Sequence, residues 1–244
     1  KKQPCPVGGG SQLGGLARRA TIFQGEEESG ERLLKIAGFF EITRPNHKDA
    51  SPGDFKTLAR IYEALEYDLG VLMAEVARKM REKGSGPPQG WMSLDNRIHS
   101  KVFPVGELKI GFIIFPPRPG KEAEFSRIAE LARKMGSNLS LLIGLSPWGI
   151  SKERKFLQKM PEAVDILLGS GSGPSFKEKY MDSGNTLWVR PYPEGKALHR
   201  IRLTNLRSQE KRQDPWKPRD NCHLQLVLLK ESIPEKPSIK EIIH

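Results

Sequence analysis

Residues 108–115 form a nearly continuous apolar run, the pattern of a strand buried on both faces, and Pro116, Pro117, Pro119 and Gly120 stop it. The period then changes. Phe125, Ile128, Leu131, Ala132 and Met135 share one face of a helix predicted over residues 121–135, which Gly136 ends. Residues 140–173 repeat the alternation and are the stretch around which the chain is organised. An apolar run over 140–145 ends in Ser146-Pro147-Trp148-Gly149. Residues 151–160 have helical composition, and a second run over 165–168 ends in Gly169-Ser170-Gly171-Ser172-Gly173. Strand, helix, strand, helix, strand is α/β order, and both turns fall at strand carboxyl ends, where α/β sheets place their ligands.

The N-terminal half follows the same logic. Residues 1–10 are rich in Pro and Gly, Glu26 to Glu31 reads as an acidic loop, and residues 32–36 as a short strand leading into Ala37-Gly38-Phe39-Phe40. Ser51 is a good N-cap, with Pro52 at the first helical position and Asp54 in the first turn. Phe55, Leu58, Ile61, Tyr62 and Leu65 then keep one apolar face. A short strand over 67–72 and a helix over 73–83 follow, the latter ended by Gly84. Residues 186–192 and 197–203 read as two strands joined by Pro193-Glu194-Gly195-Lys196, a hairpin signal. Residues 207–219 read as a basic linker, 224–229 as a last strand, and 231–244 as a Pro-containing tail with one short helix. The expected organisation is one α/β domain over residues 1–206, with 207–244 packed on it or extending from it.

Composition adds bounds. In 244 residues, 37% hydrophobic and 28% charged content suits a globular chain with a sizeable core. No apolar run approaches the ~20 residues that span a bilayer. The net charge of +11 suits an anionic partner, and the basic residues gather once, between Arg200 and Arg219. Aromatics are only 7%, and none alternate with basic residues as a base-stacking platform requires, which weighs against nucleic acid. Cys5 and Cys222 lack the spacing of a zinc or redox motif, and the sequence leaves open whether they pair.

The string Gly14-Gly15-Leu16-Ala17-Arg18-Arg19-Ala20-Thr21 resembles a signature of 5′-nucleotidase-like proteins, in which a Gly pair opens the first helix. The two turns resemble the S-H-x-G and G-H-x-H turns of the same metallophosphoesterase superfamily. Tyr67-Asp68 resembles the start of its g-Y-D segment, and residues 188–203 its closing strands. The resemblance, over about residues 12–206, implies a four-layer α/β/β/α metallophosphoesterase-like sandwich with two mixed sheets, and an extracytoplasmic home. It also assigns metal ligands. At those positions stand Phe39, Ala74, Pro147, Gly171 and Gly173, none of which offers a donor side chain. A D-x-H pair that the resemblance puts ahead of residue 14 does not occur between Lys1 and Gly14, and Glu75 stands where it puts a histidine.

A two-metal phosphoesterase needs a cage of carboxylate, Asn and His ligands. The expectation is therefore a catalytically inactive binding or scaffold protein, with no cofactor. A hydrolase with a rebuilt site is the alternative. Ser146, Ser170 and Ser172 are candidate hydroxyls for it, although none lies in a G-x-S-x-G elbow. A nucleic-acid binder is a third reading. Gly169, Ser170, Gly171 and Ser172 form a candidate anion site through backbone N–H groups. Lys211, Arg212 and Trp216 are the candidate surface for an acidic protein partner in a redox or membrane-associated complex.

Overall fold

The computed structural model describes residues 15–42, 54–118, 122–136, 138–192, 195–206 and 214–243. Its elements in chain order are α1 (Leu16–Glu28), β1 (Ile36–Ala37), α2 (Asp54–Ala64), β2 (Leu69–Met73), α3 (Ala74–Glu82), β3 (Met92–Leu94), β4 (His99–Val105) and β5 (Leu108–Ile114). There follow α4 (Glu122–Gly136), β6 (Leu141–Ser146), α5 (Ile150–Lys159), β7 (Ile166–Gly169), β8 (Phe176–Met181), β9 (Thr186–Arg190), β10 (Ala197–Leu203), β11 (Cys222–Leu228) and α6 (Pro237–Ile243). Six strands form one mixed sheet in the order β4-β5-β6-β7-β9-β8, with β5, β6, β7 and β9 parallel and both edge strands antiparallel. Two smaller ladders, parallel β1-β2-β3 and antiparallel β10-β11, complete the strands among the described residues.

The two-residue period of a strand assigns every side chain of the large sheet to a layer. Ile110, Phe112 and Ile114 of β5, Leu141, Ile143 and Leu145 of β6, and Leu187 and Val189 of β9 face the small ladders. There they meet Leu69 and Val71 of β2, Leu94 of β3, and Ile201, Leu203 and Leu224 of β10 and β11. The alternate residues Ile113, Leu142, Leu167 and Trp188 face Phe125, Ile128 and Ala132 of α4 and Phe156 and Leu157 of α5. On the far side of the β1-β2-β3 ladder, Leu72 packs with Ala17, Phe55, Ile61, Tyr62, Met80 and Ile239 from α1, α2, α3 and α6. The result is an α/β/β/α sandwich. The second sheet layer differs from the expected single mixed sheet, being built of two separate ladders.

Several local expectations change. Glu26, Glu27 and Glu28 close helix α1 rather than forming a loop. The strand after the acidic run is only Ile36–Ala37. Residues 186–192 and 197–203 do not form a hairpin: β9 inserts between β7 and β8, while β10 pairs with β11. The turn signal was local, and the strands it joins had partners elsewhere. Three strands were not anticipated. β3 is short, β4 pairs with β5 through a tight turn in which Gly106 has φ +62°, and β8 carries Lys177, Glu178 and Lys179, charges suited to an open edge. The Ser51-Pro52 cap lies outside the described residues, as do Cys5, Lys211 and Arg212.

The Gly-Gly-Leu-Ala-Arg-Arg-Ala-Thr string has a structural explanation from Gly15 onward. Gly15 at φ +113° starts α1, and Ala17 and Ala20 enter the core. Arg19 is buried and paired with Glu41 (2.7 Å), and it also donates to the Tyr67 hydroxyl (2.6 Å). Tyr62 in turn donates to the Glu41 carbonyl at 3.0 Å. One buried guanidinium thus ties the first helix to the segment after β1 and to the start of β2.

Candidate functional site: the strand-end turns

The turns after β6 and β7 pack directly on one another. Gly149 N–H donates to Ser170 O and Ile150 N–H to Ser172 O, each at 2.9 Å, so the first N–H groups of α5 are capped by the neighbouring turn. Ser170 donates its N–H and its hydroxyl to Ser146 O, both at 2.7 Å. The approach is close enough to require glycine. A Cβ on Gly171, whose φ is +80°, would lie 2.3 Å from the Pro147 carbonyl oxygen, and one on Gly173 would lie 2.5 Å from Ile150.

Arg190, the last residue of β9, holds this turn from below. Its guanidinium donates to four carbonyls: Ser170 (3.0 Å), Gly171 (2.9 Å), Ser172 (3.0 Å) and Pro174 (3.1 Å). It is also ion-paired with Glu153 of α5, and both side chains are fully buried. Glu153 accepts further from Trp188 Nε1 (3.1 Å) and from Ser170 N–H (3.0 Å). Burial pushes the Glu153 carboxyl above its ordinary range, against the opposing pull of Arg190, Trp188 and the Ser170 N–H. A Cβ at Gly169 would fall 2.1 Å from Glu153 Oε2, so that glycine too makes room for the pair.

These contacts compete with the anion binding expected at Gly169, Ser170, Gly171 and Ser172. The N–H of Ser170 is spent on Ser146 and Glu153, and the turn directs carbonyls onto an internal cation. Gly171 packs its backbone on the Pro147 carbonyl, while Gly173 packs on the Ile150 side chain. Phe39 and Ala74 belong to the other sheet layer. Phe39 is buried in the inter-sheet core beside Phe40, with ring centroids 6.5 Å apart, and Ala74 opens helix α3 with Glu75 exposed after it. The residues present do not fit a two-metal cage. None of the five carries a donor side chain, and among the described residues no three His, Cys, Asp or Glu side chains gather where they could hold a metal ion.

Two of the three candidate hydroxyls, those of Ser146 and Ser170, are engaged in the turns as well. Ser146 is buried and its Oγ accepts the Trp148 N–H (3.2 Å), while Ser172 is exposed. Trp216 corrects the partner-surface expectation: it is buried in the inter-sheet core, and its Nε1 donates to the Asp165 carbonyl at 2.8 Å. Cys222 is likewise buried in that core, beside Tyr180. His199 on β10 lies 6.0 Å from the Tyr192 ring, with both ring nitrogens buried and without a hydrogen-bond partner. Burial, with the Lys177 ammonium nearby, holds it down at about 4. Arg190 and Glu153 were missed in the sequence. The signals were an arginine ending the apolar run Thr186–Arg190, and a glutamate at the apolar-face position three and four residues before Phe156 and Leu157.

This arrangement defines an α/β/β/α sandwich in which the turns after β6 and β7 are held by backbone contacts and by the buried Arg190–Glu153 pair. Its fold is shared with three solved structures. The Thermus thermophilus sulfate thiohydrolase SoxB in complex with glycerol matches at TM-score 0.70 and 14% identity, over 95% of this chain and 46% of that one. A putative 5′-nucleotidase from Staphylococcus aureus matches at 0.64 and 13%, over 94% and 52%. The Haemophilus influenzae NAD nucleotidase NadN matches at 0.60 and 13%, over 90% and 50%. The chain thus spans about half the length of the structures it resembles. No protein-family model and no curated protein sequence matches it. Among the described residues no helix is long and apolar enough to cross a membrane.

Proposed function

We propose that this chain is a catalytically inactive 5′-nucleotidase-like module that acts as a binding or scaffold subunit of an extracytoplasmic assembly and docks on an acidic protein. The observation that supports this reading is the closure of the strand ends. Gly171 has no room for a side chain beside Pro147 O, and a buried Arg190–Glu153 pair, not an open ligand set, organises the turn. Phosphoester hydrolysis on this fold calls for cations that activate water and hold phosphoryl oxygens. Phe39 and Ala74 present no group that could contribute to such a cage. The extracytoplasmic setting and the acidic partner rest on the resemblance and on the net charge of +11.

The test is metal content and turnover. Purified chain incubated with Mn2+ or Zn2+ and desalted is expected to retain no stoichiometric metal and to hydrolyse neither p-nitrophenyl phosphate nor AMP above background. One or two metal ions per chain with metal-dependent turnover would establish instead a phosphoesterase with a rebuilt site.

A further inference from the structure

We infer that the outward face of the β10–β11 ribbon is the docking surface for an extended acidic peptide segment with carboxylates at alternate positions. The inference rests on the binding role proposed above and gives it a location. Ile201, Leu203 and Leu224 turn into the inter-sheet core, so the alternate residues Arg200 and Arg202 turn outward. Cross-strand register sets Gln225 opposite Arg200 and His223 opposite Arg202. Arg200, Arg202, His223, Leu224 and Gln225 line a shallow cleft of about 170 Å3. His223 and Gln225 are exposed, and the Arg202 side chain is 52% exposed.

The chain already shows what chemistry this face takes. Arg202 directs two nitrogens at Glu31 Oε2, at 3.1 and 3.0 Å, and Arg200 pairs with Glu26 at the end of α1. Two arginines spaced i, i+2 on a strand face stand roughly 7 Å apart, the repeat of alternate side chains on an extended partner. Guanidinium forks match carboxylates closely. The cleft lining has no Phe, Tyr or Trp ring, and His223 is its single stacking surface, short of the succession of rings a base-stacking platform uses, which favours an acidic peptide over nucleic acid. Glu26 and Glu31 are internal competitors: an incoming carboxylate at Arg202 displaces Glu31, which is itself 53% exposed.

Binding of a fluorescein-labelled peptide alternating Glu and Ser, read by anisotropy, tests this with the chain as it stands. Arg202→Glu is expected to weaken binding about tenfold or more, and Glu31→Gln, which removes the competitor, to strengthen it about threefold. Arg154→Glu, the same charge reversal on the exposed face of α5, serves as the control for non-specific attraction and should change affinity less than about twofold. Thermal melts confirm that each variant folds. Arg202→Glu matching the Arg154→Glu control, Glu31→Gln giving no gain, or an oligothymidylate binding tighter than the peptide each overturns the inference. Phosphatase turnover alongside intact peptide binding would instead remove the inactive-module reading and leave this surface in place.

Discussion

The Arg190 guanidinium and the Glu153 carboxylate meet beneath the turn at residues 169–173, joining the end of β9 to the first turn of α5. Because Arg190 also serves the carbonyls of Ser170, Gly171, Ser172 and Pro174, it is more than one half of an ion pair. Glu153→Ala strands a buried charge and is expected to cost about 3–5 kcal/mol in urea denaturation. A Glu153→Leu/Arg190→Met double variant should remain destabilised, since four carbonyls lose their donor. Wild-type stability in the double variant would show that the turn needs no guanidinium.

Two glycines should respond in opposite directions to alanine. Gly171→Ala forces a Cβ onto the Pro147 carbonyl at positive φ and is expected to cost about 1–3 kcal/mol. Gly25→Ala, within α1 and with nothing inside 4 Å of the new Cβ, should stabilise by about 0.5–1 kcal/mol. Denaturation midpoints of the two variants check both signs. A neutral Gly171→Ala would contradict the close approach of the turns.

Trp216 is a core residue, and Trp216→Ala is expected to cost about 3–5 kcal/mol. Were it a surface anchor instead, the variant would melt like the wild type and lose only partner binding. Differential scanning calorimetry separates the two outcomes.

His199 makes stability depend on pH. Its folded pKa is depressed to about 4, while the unfolded value is near 6.5, so the unfolded chain binds the proton more tightly. The sign follows directly: stability is fully present above about pH 6.5, falls as the pH drops toward about 4, and loses nothing further from this group below that. The expected loss is about 3 kcal/mol. His199→Leu should flatten this segment of the stability profile, measured by urea titration at a series of pH values. An unchanged slope would assign the dependence to other groups.

The central strands of the large sheet were legible because they are buried on both faces. Residues 108–115 and 140–145 read as apolar runs of strand length, and the helix between them showed its face through Phe125, Ile128 and Ala132. What local pattern could not supply was pairing. Pro193-Glu194-Gly195 looked like a hairpin because turn chemistry reports on a few residues, whereas the choice of β7 and β8 as partners of β9 is made by packing across the sheet. β8 went unseen because Lys177, Glu178 and Lys179 leave it little apolar character. At the strand ends, the residues aligned with metal ligands could be read as lacking donors, and the buried pair beneath them could not. A charged residue at an apolar-face position looks like noise until its partner, 37 residues away, is known.

The packing of Gly171 against Pro147 has a consequence for anyone wishing to rebuild a metal site here. Writing histidines back into these positions is not a change of side chains alone. An imidazole at 171 first has to move the main chain of the turn at Pro147, and with it the carbonyls that wrap Arg190 and the caps that start α5. Installing a ligand would therefore mean adjusting two loops, a helix start and a buried charge together, rather than exchanging one side chain.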